Sequence, residues 1–326
     1  MSLNKPIYKL RDWVDKERIN WIYLCLNENA ISLLSENLDK INWDCLCCNS
    51  NAIKLLYENE DKINWSYLSQ NPNAISLLEK NQNKINWIYL SSNPNAISIL
   101  KENRNKIDWI NLSANPNAFS ILKKNLHRIK WNYLNKNTNS KIISILDKNR
   151  NFINWNIFSR NTNPIAIKIL SENLDKINWN YLSQNENAIS ILEKNQDKIN
   201  YYYLSSNPNA IKILKKNKDK IDWCNLSSNN SYEAIELLNE NKDKINWNYL
   251  SDNPSAIKLL EENQDKINYN YLFYNPSIFQ LDYQKMKENN QEIYEELIKE
   301  VMKPSRVFSM INKYPDYDYL EEMFGD

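Results

Sequence analysis

The 326-residue chain contains one glycine and one histidine. With Gly325 alone, there is no glycine-rich phosphate loop and no Ser nucleophile elbow. His127 stands before Arg128 in a loop-type stretch and reads as a surface residue, not a general base. No run of about 18 apolar residues exists, so no membrane-spanning segment is expected. The opening "MSLNKPIYKLRDW" lacks the apolar stretch of a signal peptide, so secretion is not expected. Five cysteines without a regular pairing pattern fit a reducing compartment better than a disulfide scaffold. Basic and acidic residues nearly cancel, 41 against 40, so no global field draws the chain to nucleic acid or membrane.

What is present is a repeat. The aromatic of "INW" recurs at Trp21, Trp43, Trp65, Trp87, Trp109, Trp131, Trp155, Trp179, Tyr201, Trp223, Trp247 and Tyr269. Steps are 22 residues, with three of 24 where "NTNSKI", "NTNPIA" and "NNSYEA" carry two extra residues at one point of the unit. A point that accepts insertions reads as a loop. The consensus "INWxYLSxNPNAIxLLEKNxDK" holds two short helical signals. Asn64 is placed to cap a helix starting at Trp65. Asn71 caps a second, with Pro72 in its first turn and Ala74, Ile75, Leu77 and Leu78 as its apolar stripe. Asn81 ends it in the left-handed role that glycine usually takes.

These signals predict an all-α fold: an α-solenoid of about twelve 22–24-residue two-helix repeats, with N- and C-terminal caps. The expected divisions are 1–19 (cap), 20–277 (solenoid) and 278–326 (helical cap and tail, with an amphipathic helix over Met286–Met302 and breaks at Pro304 and Pro315). A strand-bearing leucine-rich repeat is the rival, but the position after the aromatic is mostly polar where a strand needs apolar alternation. Stacking is expected to bury Trp, Leu, Ala and Ile between units. Helices about 8–10 Å apart would make a curved rod of about 100 Å. Two Asn rows that never vary, one including Asn71 and one including Asn81, read as caps and side-chain ladders, not as ligand amides.

The repeat, the opening "YKLRDW" and the ending "VMKPSR…DYLEEMF" resemble uncharacterised repeat proteins of mimivirus-like giant viruses. The chain departs from them at Lys303-Pro304, where they carry His-Pro. The unit is also similar in style to leucine-rich variant repeats, built of helices only. The resemblance implies a viral origin, in host cytoplasm or virion, and brings no catalytic residues.

No catalytic residue, cofactor or metal site is therefore expected. Cys25, Cys45, Cys47 and Cys48 do not make a zinc site, because Cys-x-Cys-Cys in a short helix points its thiols apart and no His assists. They read as small buried residues where other units use Ser. The Asp–Lys pairs at each unit edge, such as Asp61–Lys62, read as solvated. One local signal stands out. Residues 80–150 hold 13 basic against 3 acidic residues, a difference of +10. There the edge Asp is replaced by Asn83 and Asn105, so Lys84, Lys106 and Arg128 form an uncompensated ladder and a candidate anion- or partner-binding site. The expected function is a non-enzymatic scaffold for a viral or host protein. The alternatives are weak, sequence-independent nucleic-acid or polyanion binding through the basic repeats, and a structural role in the virion.

Overall fold

The computed structural model describes residues 6–303 and 306. It divides into two bodies, Leu10–Phe279 and Met1–Lys9 with Gln280–Asp326. The larger holds all twelve units, whose elements are all helical. The smaller contributes to a two-stranded ribbon, Tyr8–Leu10 with Phe279–Leu281, in which Asp282 N donates to Ile7 O at 2.8 Å. It also carries the helix Tyr283–Val301, close to the expected amphipathic segment. Pro304, Pro315 and the rest of the expected tail beyond Arg306 lie outside the described residues.

The fourth unit shows the local logic. Its first helix is Trp87–Ser92, its second Ile97–Glu102, and a 3₁₀ turn follows at Arg104–Lys106. That third element is absent from the two-helix reading. Asn86 Oδ1 accepts from Ile88 N (3.1 Å) and Tyr89 N (3.3 Å), so the Asn before the aromatic caps the first helix. The second cap differs from expectation. Asn71 Oδ1 accepts from Asn73 N and heads a tight turn, and the helix proper starts at Ile75 without a side-chain cap.

The scarcity of glycine has a structural reason. Among the described residues none adopts a positive φ. Asn81 lies at φ −125°, not in the left-handed region, and its Nδ2 donates to Leu77 O at 3.1 Å. The side chain thus reaches back to satisfy a terminal carbonyl, a task that glycine C-caps accomplish with left-handed backbone. The insertions also differ from a loop. They lengthen the second helix, to Ser140–Lys148, Pro164–Ser171 and Tyr232–Asn239, with Asn139, Asn163 and Ser231 as side-chain caps.

Between units, Leu, Ala and Ile form a continuous core; Leu68, Leu78, Leu90 and Leu100 are completely buried. Two polar ladders run through it. The Asn six after each aromatic donates twice to the preceding unit: Asn93 Nδ2 reaches Ser69 O (3.1 Å) and Asn71 O (3.0 Å), while its Oδ1 accepts from Asn95 N (3.0 Å). Both ends of the amide are consumed, so this row is a side-chain ladder and not a set of ligand amides. The Ser four after the aromatic forms the second ladder. Ser69 Oγ donates to Trp65 O (2.7 Å) and accepts from Asn86 N (3.0 Å) of the next unit. Asn135 does both jobs in the sixth unit.

The twelve units of the larger body do not form an open rod. Asn27 of the first unit donates to Phe273 O (3.2 Å) and Asn275 O (3.1 Å) of the last, the bonds that every other unit makes to its predecessor. Asn29 Nδ2 reaches Pro276 O (3.1 Å), Arg11 Nε reaches Ser277 O (2.8 Å), and the rings of Tyr23 and Tyr274 stack at 4.4 Å. The larger body is therefore a closed ring, and twelve units closing on themselves turn by about 30° each. The rod follows from repetition alone; the small rotation per unit that bends it shut is a packing property that the consensus does not display.

Asn93→Ala removes three hydrogen bonds and leaves buried backbone carbonyls of two residues without that donor. We expect a loss of about 2–4 kcal/mol, measured by denaturant unfolding; a loss below about 0.5 kcal/mol would contradict the ladder. Closure has a direct test. With Cys48 and Cys224 replaced by Ser, the Asn29→Cys, Pro276→Cys pair should form an intramolecular disulfide on mild oxidation, located by peptide mapping. In an open rod these residues lie far apart and no such bond forms.

Candidate functional site

In the ring, the first helices and the Asn turns of successive units stack closely, as Trp87–Ser92 does on Trp109–Ala114. Ordinary second helices, such as Ile75–Lys80 and Ile97–Glu102, approach one another less. A row of units curves toward its more tightly spaced side, so the first helices face the ring axis. Axes about 8 Å apart lie on a circle of about 30 Å diameter, and removing half a helix thickness on each side leaves an opening of about 20 Å.

The solvent face of each first helix consists of its second and third residues and the sixth position counted from the aromatic. Leu90 and Ser91 turn to the core, so Ile88, Tyr89 and Ser92 turn away from it. Across twelve units these 36 positions hold ten of the chain's 20 tyrosines and seven asparagines. Tyr202 and Tyr249 are 55% and 52% exposed, and Ile88 55%. Only four of the positions are charged: Asp44, Lys136, Arg160 and Asp252. Arg160 sits 3.8 Å from the Tyr181 ring centroid. Partial desolvation raises the Asp252 carboxyl from its ordinary value. This wall is absent from the sequence reading. Its signal was the Tyr two residues after six of the ten repeat Trp residues, off the three- and four-residue spacing that joins Trp to the buried Leu and Ser.

The repeat aromatics are half-buried, not fully enclosed. The reason is that a cation of the 3₁₀ turn ending the same unit covers the exposed ring face: Lys84 over Trp65 at 4.5 Å, Lys106 over Trp87 at 4.5 Å and Arg128 over Trp109 at 5.1 Å. The three ladder residues thus occupy equivalent sites in successive units and are themselves exposed. The arrangement recurs elsewhere, as with Lys220, Lys244 and Lys266. Phe152 replaces the cation by stacking on Trp131 at 4.3 Å. At the closure, Arg18 covers Tyr269 at 4.3 Å.

Cys25 and Cys47 take the buried Ser position in their units. Burial pushes both thiols up to about 11, so they resist forming the thiolate that metal binding or nucleophilic attack requires. Among the described residues no group of three His, Cys, Asp or Glu is arranged to hold a metal ion, and no helix is long and apolar enough to cross a membrane. His127 is exposed. Comparison with known proteins finds no matching family model, no matching curated protein and no matching solved structure.

The thiols make a prediction. At pH 8 a thiol titrating near 11 is thiolate about one part in a thousand. Ellman's reagent should modify the exposed Cys224 first and reach Cys25 and Cys47 only as the ring unfolds. Rapid labelling of Cys25 or Cys47 in the native protein would contradict their placement.

Proposed function

We propose that the protein is a non-enzymatic ring scaffold that holds a segment of a partner protein against its inner wall. The observation carrying this reading is the concentration of exposed Tyr, Ile and Asn on the first helices, on a wall whose four charges cancel. Tyr offers a large, rather rigid contact surface with a polar tip, and Asn and Ser add adaptable hydrogen bonds; the same residue types dominate antibody binding loops. The absence of net charge on the wall disfavours a polyanion there.

The four charges also indicate which way a partner faces. Asp252 and Asp44 lie in the eleventh and second units, flanking the closure. Lys136 and Arg160 lie in the sixth and seventh, half a ring away. A segment with one basic and one acidic side complements this arrangement. An opening of about 20 Å accommodates one helix of about 10–12 Å, or two side by side in close packing.

A photo-crosslinking amino acid placed at Tyr89 or Tyr249, on the inner wall, and at Ser98 or Lys212, on second helices, tests this in cells that express the protein naturally. We expect one defined protein adduct from the inner positions and none from the outer. Adducts only from the outer positions, or to nucleic acid from the inner ones, would overturn the reading.

A further inference from the structure

A different side of the ring carries a second binding chemistry, independent of what occupies the opening. The ladder residues Lys84, Lys106 and Arg128 belong to the 3₁₀ turns that follow the second helices of the third to fifth units. Four more exposed cations, Lys101, Arg104, Lys123 and Lys124, lie at the ends of those second helices or in the same turns. Of the 13 basic residues between 80 and 150, Arg150 alone makes an ion pair among the described residues, with Asp147 at 2.7 Å and Glu172 at 3.3 Å. The chain as a whole has a net charge of +1, so an arc with a difference of +10 is a local property and not a general bias.

The indole seats add fixed positions to the charge. Seven units keep the Asp before the ladder cation; five of those cations stay seated on their rings beside it, and in the other two the Asp draws the cation away. Lys62 pairs with Asp61 at 3.2 Å and Lys198 with Asp197 at 3.4 Å, and neither is seated on Trp43 or Trp179. In the basic arc that position holds Asn83, Asn105 and His127. No carboxylate competes there, and each cation rests on its ring with its charge uncancelled. A stacked cation has lost part of its side-chain freedom before a ligand arrives, which lowers the ordering cost of contact.

We propose that this arc binds the sugar–phosphate backbone of nucleic acid without reading sequence. A row of fixed, unpaired cations repeated once per unit matches a regular polyanion. The repeat aromatics beside it have their open faces covered by those cations, so no platform remains for stacking bases, and backbone contact alone gives position without sequence specificity.

The test is a salt titration of fluorescent single-stranded and duplex DNA and RNA with the intact protein. Wild type should bind all four at low salt, with log affinity falling linearly as log salt rises. Lys84→Gln, Lys106→Gln, Arg128→Gln should weaken binding by about tenfold and reduce the salt slope by about 2–3, roughly one per phosphate contact removed. The control is Lys220→Gln, Lys244→Gln, Lys266→Gln, which removes the same ring contacts where Asp219, Asp243 and Asp265 remain. It should leave affinity and slope unchanged, so loss in both triples would assign the effect to damaged ring packing and overturn the proposal. No binding at low salt, or binding of heparin without DNA or RNA, would overturn it as well.

Discussion

Everything in the ring depends on one buried side chain per unit. The Asn after each first helix ties its own turn with Oδ1 and the two carbonyls behind it with Nδ2, as Asn93 does. A buried carbonyl without a donor is costly, and no second strand or long helix is present to supply one at these turns. The amide does so, at a position less than 5% exposed in every unit. Because both donated bonds point the same way along the chain, each unit is completed by its successor. The first unit is met by the last through Asn27, so no turn in the series is left as an uncapped end.

That dependence explains how much could be read beforehand. The period, the helix starts and the apolar core were legible because they rest on short-range rules: Asn before Trp, Leu three residues on, Ile and Leu at helical spacing. The role of Asn71 and its equivalents as ladder residues was legible too, since a polar residue that never varies beside an apolar stripe needs a backbone partner. Closure was not. It depends on the angle between neighbouring units, which follows from the relative packing of first and second helices, and no single residue encodes it. The role of Asn81 was misread for a related reason: its sequence position fits a left-handed cap, but whether the backbone turns left or the side chain reaches back to Leu77 O is decided by the 3₁₀ turn that follows.

The two surfaces of the ring also differ in how visible they were. Lys84, Lys106 and Arg128 stood out as a break in charge pattern, although their seats on Trp65, Trp87 and Trp109 did not. The tyrosine wall stayed hidden because Tyr67, Tyr89 and Tyr249 look like further members of an aromatic core until the ring shows which side of the first helix is open. Tyr67 and Trp65 are two residues apart on a helix and therefore face different ways. One supports the stack; the other is left exposed on the open side of the helix.

Closure also bears on how such a gene can change. An open solenoid gains or loses whole units at its ends with little effect on the rest, because each unit touches only its neighbours. A ring cannot. Removing one unit leaves eleven interfaces to absorb the missing rotation, about 3° apiece, or leaves the Asn27 amide facing solvent. Variation of length is thereby pushed inside the unit, into increments small enough to be taken up as an extra part-turn of a second helix. The three two-residue insertions, each absorbed in Ser140–Lys148, Pro164–Ser171 or Tyr232–Asn239, are what a chain of fixed unit number can accommodate.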